Sequence, residues 1–198
     1  MSYSRTVMSN PQVARTRRAV LEAAAELLKE RGVSGMTIDG VSSRSQVARS
    51  TIYRHWADLP ALTVDAFATL AGPPPQVPDS GDVRTDLVAL FGRLARGIRT
   101  VPSLRVLPSL ADVAQRDPVM SDLLTRFIDA QRQPAREVVR RAVERGQVRA
   151  DVNVEWLLDA IGGPLFYRQM VSRQAPDEPG LVEQLVDAAL AAWAPDRS

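Results

Sequence analysis

The sequence has 198 residues, of which 45% are hydrophobic and 24% are charged, and its formal net charge is +2. This balance is typical of a globular protein with a sizeable core, and no apolar run reaches the roughly 18 residues that a membrane-spanning helix needs. The first residues lack the apolar segment of a secretory signal, so we expect a cytoplasmic protein. The chain has no cysteine, which excludes disulfides, thiolate catalysis and cysteine-ligated metals.

Basic residues are concentrated near the N-terminus. Up to Asp58 the chain has nine basic and five acidic residues, whereas the remainder carries a small acidic excess. This asymmetry indicates either an N-terminal region that binds a polyanion or a chance fluctuation on a solvated surface. His55 is the only histidine, so a histidine metal cluster is excluded, and any Ser-His-Asp triad would have to use it.

Apolar residues recur at helical spacing along nearly the whole chain, and no segment alternates long enough to form a clear strand. The first predicted helix carries an apolar stripe from Val20 to Leu28 and stops at Gly32. A short second helix follows with Thr37 as its N-cap, and a third runs from about Ala48 to His55. Asp58 is predicted to cap a fourth helix.

A proline-rich segment, residues 73–81, cannot be helical and is predicted to link two domains. The N-terminal domain covers residues 1–72, including the fourth helix, and the C-terminal domain covers residues 82–198. The fold class is therefore all-α, with a three-helix helix-turn-helix domain followed by a larger helical bundle.

The C-terminal helices have recognisable limits. A long helix starts near Val83, and a shorter one, Leu104 to Val113, is interrupted or restarted at Pro108. Asp117 and Pro118 form an N-cap and first-turn pair for the next helix, which Pro134 is predicted to kink or divide.

Two further helices complete the predicted bundle. Asn153 caps a helix that carries apolar residues as far as Met170. The last helix runs from Leu181 to Trp193 and is apolar on most of its surface.

The segment from Thr37 to Trp56 has the shape of a helix-turn-helix. If Ile52 and Trp56 face inward, the third helix presents a polar outer face. That face consists of Arg49, Ser50, Thr51, Tyr53, Arg54 and His55. In a DNA major groove, the fork of Arg49 reaches a guanine edge or a phosphate, and the tyrosine and histidine can donate to phosphate oxygens. The alternative is an ordinary solvated helix face.

These features resemble the DNA-binding domain of the TetR/AcrR family of transcriptional regulators between Arg18 and Phe67. The matching residues are Ala19-Val20-Leu21-Glu22-Ala23-Ala24, Glu30-Arg31-Gly32, Met36-Thr37-Ile38, Val47-Ala48-Arg49-Ser50-Thr51-Ile52-Tyr53-Arg54-His55-Trp56, Asp58 and Leu62. The resemblance is close over about a quarter of the chain, and the rest matches in length and helical character. It identifies the chain as a member of this family.

The resemblance implies roles for residues of the helix-turn-helix. Thr37 would contact phosphate, residues 49–51 would approach bases, and Tyr53 and His55 would bind the backbone. Two positions depart from the family pattern. Gln46 stands where the glycine of the turn is usual, which predicts strain or a different turn geometry. Leu59 stands where a lysine often reaches a phosphate, which predicts one electrostatic contact fewer.

Motifs for catalysis are missing from the sequence. There is no phosphate loop, HExxH motif, Gly-rich dinucleotide turn or Glu-x-x-His pair, and the carboxylates of the C-terminal domain are scattered. A triad could be drawn from Ser50, His55 and Asp58, but these residues lie in or next to one short exposed helix without a pocket. We therefore do not expect an enzyme, and we expect no cofactor and no metal.

The last two helices are too apolar for burial on one side, which indicates either internal packing or an interface. The candidate interface residues are Ile161, Leu165, Leu185, Ala189 and Trp193. The resemblance implies that these helices form a four-helix bundle in a homodimer. A two-fold dimer would supply two recognition helices for double-stranded DNA with an inverted-repeat operator.

Other residues of the C-terminal domain suit either a ligand pocket or an ordinary core. They are Phe91, Leu94, Arg105, Leu107, Met120, Phe127, Trp156, Phe166, Tyr167 and Met170. The resemblance implies a small-molecule inducer here. The sequence thus predicts a ligand-responsive repressor released from a palindromic operator. The main alternative is a ligand-independent dimeric DNA-binding protein. Two others are a helical protein-interaction adaptor and an enzyme with a vestigial helix-turn-helix.

Overall fold

The computed structural model describes residues 11–100 and 106–195 of the chain. The described residues form nine α-helices and no β-strand, so the all-α prediction is confirmed. The helices are α1 (Pro11–Arg31), α2 (Ile38–Ser45), α3 (Arg49–His55), α4 (Leu59–Ala71), α5 (Val83–Thr100), α6 (Leu107–Ala114), α7 (Pro118–Glu144), α8 (Val154–Tyr167) and α9 (Leu181–Ala191). A 3₁₀ turn (Val33–Gly35) follows α1, and a π-helical turn (Arg168–Ser172) follows α8.

Contacts divide the chain into two compact units. The first unit comprises the chain up to Ala71 together with Val106–Leu124, and the second comprises Gly72–Arg105 together with the chain from Thr125 onward. The first unit combines segments from both sides of the proline-rich segment, whereas the proline-rich segment itself belongs to the second unit. The domain boundaries inferred from that segment therefore stay a prediction.

The first unit is built around α1, which packs against α2 and α4, while α3 packs against α2. The alanine-rich sequence of α1 favours a helix and lets neighbouring helices approach closely. The predicted stripe is buried, with Val20 and Leu28 fully enclosed together with Ile52 and Phe67. Burial of each such side chain stabilises the fold by about 1.5–3 kcal/mol relative to exposure.

The predicted N-caps are confirmed by hydrogen bonds. The Thr37 hydroxyl accepts from the Gly40 N–H (3.0 Å), and Asp58 Oδ1 accepts from the Ala61 N–H (2.8 Å). Asp117 Oδ1 accepts from the Val119 and Met120 N–H groups, and Asn153 Oδ1 accepts from the Trp156 N–H. Each cap satisfies a backbone donor that the first helical turn leaves unpaired.

In the second unit α5 packs against α8 and α9, which also pack against each other. Their shared core includes Leu87, Ile98, Leu157 and Val186. Gly162 of α8 lies close to α5, because a Cβ there would be 3.4 Å from Phe91 Cε1. The backbone of α8 therefore lies in van der Waals range of this aromatic ring of α5.

The proline-rich segment is not helical, as predicted, and it is fixed to the second unit at its C-terminal end. Arg145 Nη2 donates to Asp79 Oδ1 (2.6 Å). The Gln147 side chain donates to the Gly81 carbonyl and accepts from the Val83 N–H. These contacts hold the start of α5 against the end of α7.

Several helix limits differ from the predictions. Of the two outcomes predicted for Pro134, division does not occur, because α7 is one helix with the proline inside it. Arg132 and Arg136, on either side of the proline, both form ion pairs with Glu155 of α8. The helix after Asn153 ends at Tyr167, before the π-helical turn. The last helix ends at Ala191. Leu104, the predicted start of α6, lies outside the described residues, and the described helix begins at Leu107 with Pro108 in its first turn.

No helix of the described chain is both long and apolar enough to cross a membrane.

Candidate nucleic-acid interface

The second and third helices form a helix-turn-helix in the first unit. Val41 and Ile52 are buried, so both helices are anchored to the core by a β-branched side chain. Hydroxyl groups hold the turn between them: Ser42 Oγ donates to the Val47 carbonyl (2.8 Å), and Ser45 Oγ accepts from the Val47 N–H (3.3 Å). The orientation of α3 is therefore fixed at its inner face and at its N-terminal turn.

Gln46 gives the turn a left-handed geometry. Its φ of 57° and ψ of 24° lie in the conformation that glycine adopts without strain. Gln46 therefore adopts the backbone conformation that a glycine would adopt at this position, although it has a side chain. The departure from the family pattern produces backbone strain, one of the two outcomes predicted for this turn.

The outer face of α3 is polar and accessible, as its predicted orientation requires. Ile52 and Trp56 are buried, while Tyr53 is 54% exposed. Arg49, Ser50 and Arg54 are also exposed, and Thr51 and His55 are half-buried. The structure therefore brings the six predicted α3 residues onto one helix, with the two apolar positions turned away from them.

Two side chains of this face already have local partners. Arg54 Nη2 donates to Thr51 Oγ1 (2.9 Å) on the preceding turn. The His55 ring lies beside the Trp56 ring, with centroids 5.6 Å apart. In the described chain no hydrogen bond connects His55 to Ser50 or Asp58, so nothing there assembles these residues into a triad.

Arg49 contacts an acidic residue that sequence reasoning missed. Its Nε lies 2.5 Å from Oδ1 of Asp39, in the first turn of α2. The two residues are ten positions apart on different helices. No local spacing rule pairs them, and only the packing of α2 on α3 brings them together.

Thr37 stands exposed at the N-terminus of α2. Its hydroxyl oxygen accepts from the Gly40 N–H, which leaves the hydroxyl proton available to donate to a further group. An exposed O–H at a helix N-terminus is suited to a phosphate oxygen, because the unpaired N–H groups of the first turn also attract anions.

Ion pairs flank the helix-turn-helix and were not predicted. Arg44 of α2 donates to Glu30 of α1 (2.7 Å), and this hydrogen bond holds the pKa of the Glu30 carboxyl below its ordinary value. Arg17 of α1 donates to Asp65 of α4 (2.6 Å). Leu59, at the start of α4, is half-buried and adds no charge to this surface.

The predicted dimer residues are mostly inside the second unit. Ile161 and Leu165 are fully buried within the subunit, and Ala189 is buried as well, so these side chains are not accessible on its surface. Helical periodicity identified the apolar faces of α8 and α9, but those faces pack into the subunit core. Leu185 and Trp193 are half-buried, and the Trp193 ring lies under the Arg149 guanidinium.

The predicted pocket residues do not share one environment. Trp156, Tyr167 and Met170 are exposed on the second unit. Phe91 is buried in its core, and Leu94, Phe127 and Phe166 are half-buried. Leu107 and Met120 belong to the first unit. Arg105 lies outside the described residues.

Two family models match the sequence. Residues 20–59 match the model of bacterial regulatory proteins of the tetR family. Residues 77–189 match the model of the tetracyclin repressor-like C-terminal domain. The first match includes the helix-turn-helix, and the second covers most of the second unit together with the segment Val106–Leu124 of the first.

Relatives are similar over most of their length. The chain is 32% identical over 158 residues to the uncharacterized HTH-type transcriptional regulator YdeS of Bacillus subtilis, covering 79% of each protein. It is 29% identical over 174 residues to the DNA-binding transcriptional repressor TetR of Mycobacteroides abscessus, covering 87% of this chain and 90% of that protein.

Solved structures have the same fold. The TetR family transcription regulator SCO0332 is 34% identical, with a TM-score of 0.63, and the match covers 91% of this chain and 100% of that chain. A TetR transcriptional regulator from Agrobacterium tumefaciens is 20% identical, with a TM-score of 0.69 and coverage of 92% and 96%.

Proposed function

This chain belongs to the TetR family of DNA-binding transcriptional regulators, and we propose that it is a homodimeric repressor that an inducer releases from an inverted-repeat operator. The observation that carries the proposal is the outer face of α3, where arginine, hydroxyl and phenol groups are exposed over the buried Ile52 and Trp56. The repressor named among the relatives supports the direction of regulation.

In the proposed complex α3 lies in the major groove. Arg49, Ser50 and Thr51, at its N-terminal end, approach base edges. Tyr53 and Arg54, one turn later, together with His55 and the exposed hydroxyl of Thr37, bind phosphate oxygens and fix the register. Leu59 supplies no phosphate contact, which weakens affinity for all sequences equally.

The proposed dimer uses the exposed faces of α8 and α9. Trp156 and Tyr167 are 68% and 58% exposed, and they recur at helical spacing with the exposed Ala160 and Gly163. On α9 and at its C-cap, exposed alanines offer a second face: Ala188, Ala191 and Ala192. Small residues flanked by aromatic side chains suit close helix packing against a second copy.

The proposed inducer site lies in the second unit. The half-buried Leu94 and Phe166 offer apolar walls next to the core residue Phe91, and Phe127 is a further half-buried aromatic residue of this unit. Inducer binding would release DNA by moving α4 and, with it, the helix-turn-helix. For this mechanism the inducer must bind the DNA-free form more tightly than the DNA-bound form.

Selection from a random pool of DNA duplexes tests the DNA-binding part of the proposal. The wild type should enrich an inverted repeat, whereas the double variant Arg49→Ala, Tyr53→Ala should enrich none. Arg93→Ala removes an exposed arginine from α5 and should select the same repeat as the wild type. A folded wild-type protein that enriches no sequence would contradict the proposal.

A compound screen on the selected operator tests the inducer part. A compound that raises the melting temperature of the free protein should do so less when operator is present, because DNA and inducer favour different conformations. Equal affinity for the compound in both states would support the ligand-independent alternative for that compound.

A further inference from the structure

Asp39 and Arg49 form an ion pair on the proposed DNA-facing surface. Asp39 Oδ1 lies 2.5 Å from Arg49 Nε, and the two side chains are 62% and 64% exposed. We propose that Asp39 is a positioning residue that determines specificity by fixing the Arg49 guanidinium for base readout. This inference rests on the proposed function, since it requires α3 to enter the major groove.

The contacted atom leaves the reading edge of the arginine available. A guanidinium presents donors at Nε, Nη1 and Nη2, and it recognises guanine through a fork of two parallel N–H groups aimed at N7 and O6. The closest approach of Asp39 is to Nε. Among the described residues no hydrogen bond engages Nη1 or Nη2 of Arg49, so these two groups can form such a fork.

The ion pair contributes little to folding, because both groups are mostly exposed to water. Its effect is on the freedom of Arg49, a long side chain that would otherwise sample many rotamers. A side chain held near its bound conformation loses less entropy when it binds. The pair also strengthens when DNA excludes water, because the effective dielectric constant falls.

Positioning of Arg49 by Asp39 can be distinguished from a general charge effect of Asp39 on DNA binding. A carboxylate near DNA repels phosphates and therefore weakens binding to every sequence. Removing the charge should improve binding to unrelated duplexes. If Asp39 positions Arg49, the same substitution should weaken discrimination at the base pair that Arg49 reads, so the two effects have opposite signs.

The test measures affinities for the selected operator and for versions with each base pair of the half-site substituted, at one salt concentration. The proteins are the wild type, Asp39→Asn, Arg49→Ala and the double variant. We expect Asp39→Asn to reduce the ratio of affinities for the preferred and the substituted base pair about tenfold, at one position in each half-site. That base pair should be the one at which Arg49→Ala loses its preference, and the double variant should lose no more than Arg49→Ala.

Two controls separate positioning from other effects. Asp39→Glu keeps a carboxylate and should restore part of the preference. Glu22→Gln removes an exposed negative charge from α1 and should tighten binding to all duplexes by one common factor. Circular dichroism and thermal unfolding of each variant check that the helix-turn-helix is folded.

Three results would overturn the inference. In the first, Asp39→Asn weakens base discrimination by the same factor in the Arg49→Ala protein as in the wild type. This would mean that Asp39 itself accepts a hydrogen bond from cytosine N4. Another is a uniform gain on all duplexes, which would leave only a charge effect. If the wild type selects no sequence, the proposed function fails and this inference fails with it, whereas the first two results leave that function intact.

Discussion

Gln46 occupies the turn between α2 and α3 with a φ of 57°, where most residues with a Cβ are strained. Its side chain is exposed and the described chain holds no hydrogen bond to it. The residue therefore contributes strain to the turn without an evident compensating contact.

Replacing Gln46 by glycine should stabilise the first unit. The strain relieved is larger than the added entropy of the unfolded chain, so we expect a gain of about 0.5–1 kcal/mol in the free energy of unfolding. Urea denaturation followed by circular dichroism measures this gain. Gln46→Ala keeps the Cβ and should give no gain, and a stabilised alanine variant would contradict the strain argument.

Asp65 connects three helices of the first unit from its position on α4. Its Oδ2 accepts from the buried Trp56 indole N–H (3.0 Å) and from Arg17 Nη2 (2.6 Å). The Arg17 guanidinium also lies 5.4 Å from the centre of the Trp56 ring. Through this one carboxylate, α4 is joined to α1 and to the end of α3.

Substitutions at Asp65 should separate its two hydrogen bonds. Asp65→Ala leaves the Trp56 N–H buried without an acceptor, which should cost about 1–3 kcal/mol of unfolding free energy. Asp65→Asn keeps an acceptor and loses mainly the exposed pair with Arg17, which should cost less than about 1 kcal/mol. Urea denaturation compares them, and equal losses would show that the indole hydrogen bond is unimportant.

Glu137 of α7 should make the second unit less stable in acid. Hydrogen bonds from Arg140, and also from Arg141, lower the pKa of this carboxyl from 4.5 to about 2. A lowered folded-state pKa stabilises the fold above pH 4.5, and this stabilisation is lost as the pH falls toward 2. Glu137→Gln should therefore be less stable than the wild type at pH 6, with the difference narrowing toward pH 3.

Urea titrations of both proteins across this pH range provide the measurement. Because the ion pairs are partly exposed, 1 M salt should shrink the difference at pH 6. A difference that stays constant between pH 6 and pH 3 would contradict the role assigned to the Glu137 charge.

In the proposed dimer, the two subunits associate through the exposed faces of α8 and α9. Ala188→Arg places a long charged side chain on the flat alanine face of α9 and should convert the dimer to a monomer. Ala130→Arg makes the same change at an exposed position of α7 and should leave the dimer intact. Sedimentation velocity measures both, and a dimer that survives Ala188→Arg would place the interface elsewhere.

Local features of the fold were predictable from the sequence. The caps at Thr37 and Asp58 and the inward orientation of Ile52 and Trp56 follow from short-range hydrogen bonds and helical periodicity. Contacts between distant positions were not predictable, because nothing in the local pattern of Asp39 indicates Arg49.

The packing of the apolar faces of α8 and α9 was likewise not predictable from the sequence. Periodicity identifies Ile161 and Leu165 as apolar positions, but it cannot say whether an apolar face packs inside its own subunit or against a second copy. The accessible residues beside them, such as Gly163 and Ala188, are small, and their role depends on which face the subunit core leaves exposed.

The most direct test of the account is the affinity of the protein for the selected operator and for the same duplex with one half-site scrambled. Fluorescence anisotropy at fixed salt gives both values. If two α3 helices of a dimer read two half-sites, scrambling one should weaken binding on the order of 100-fold, as should a five-base-pair insertion between them. Affinities within about twofold of each other would contradict symmetric recognition by two α3 helices, because specific and non-specific binding normally differ by far more than that.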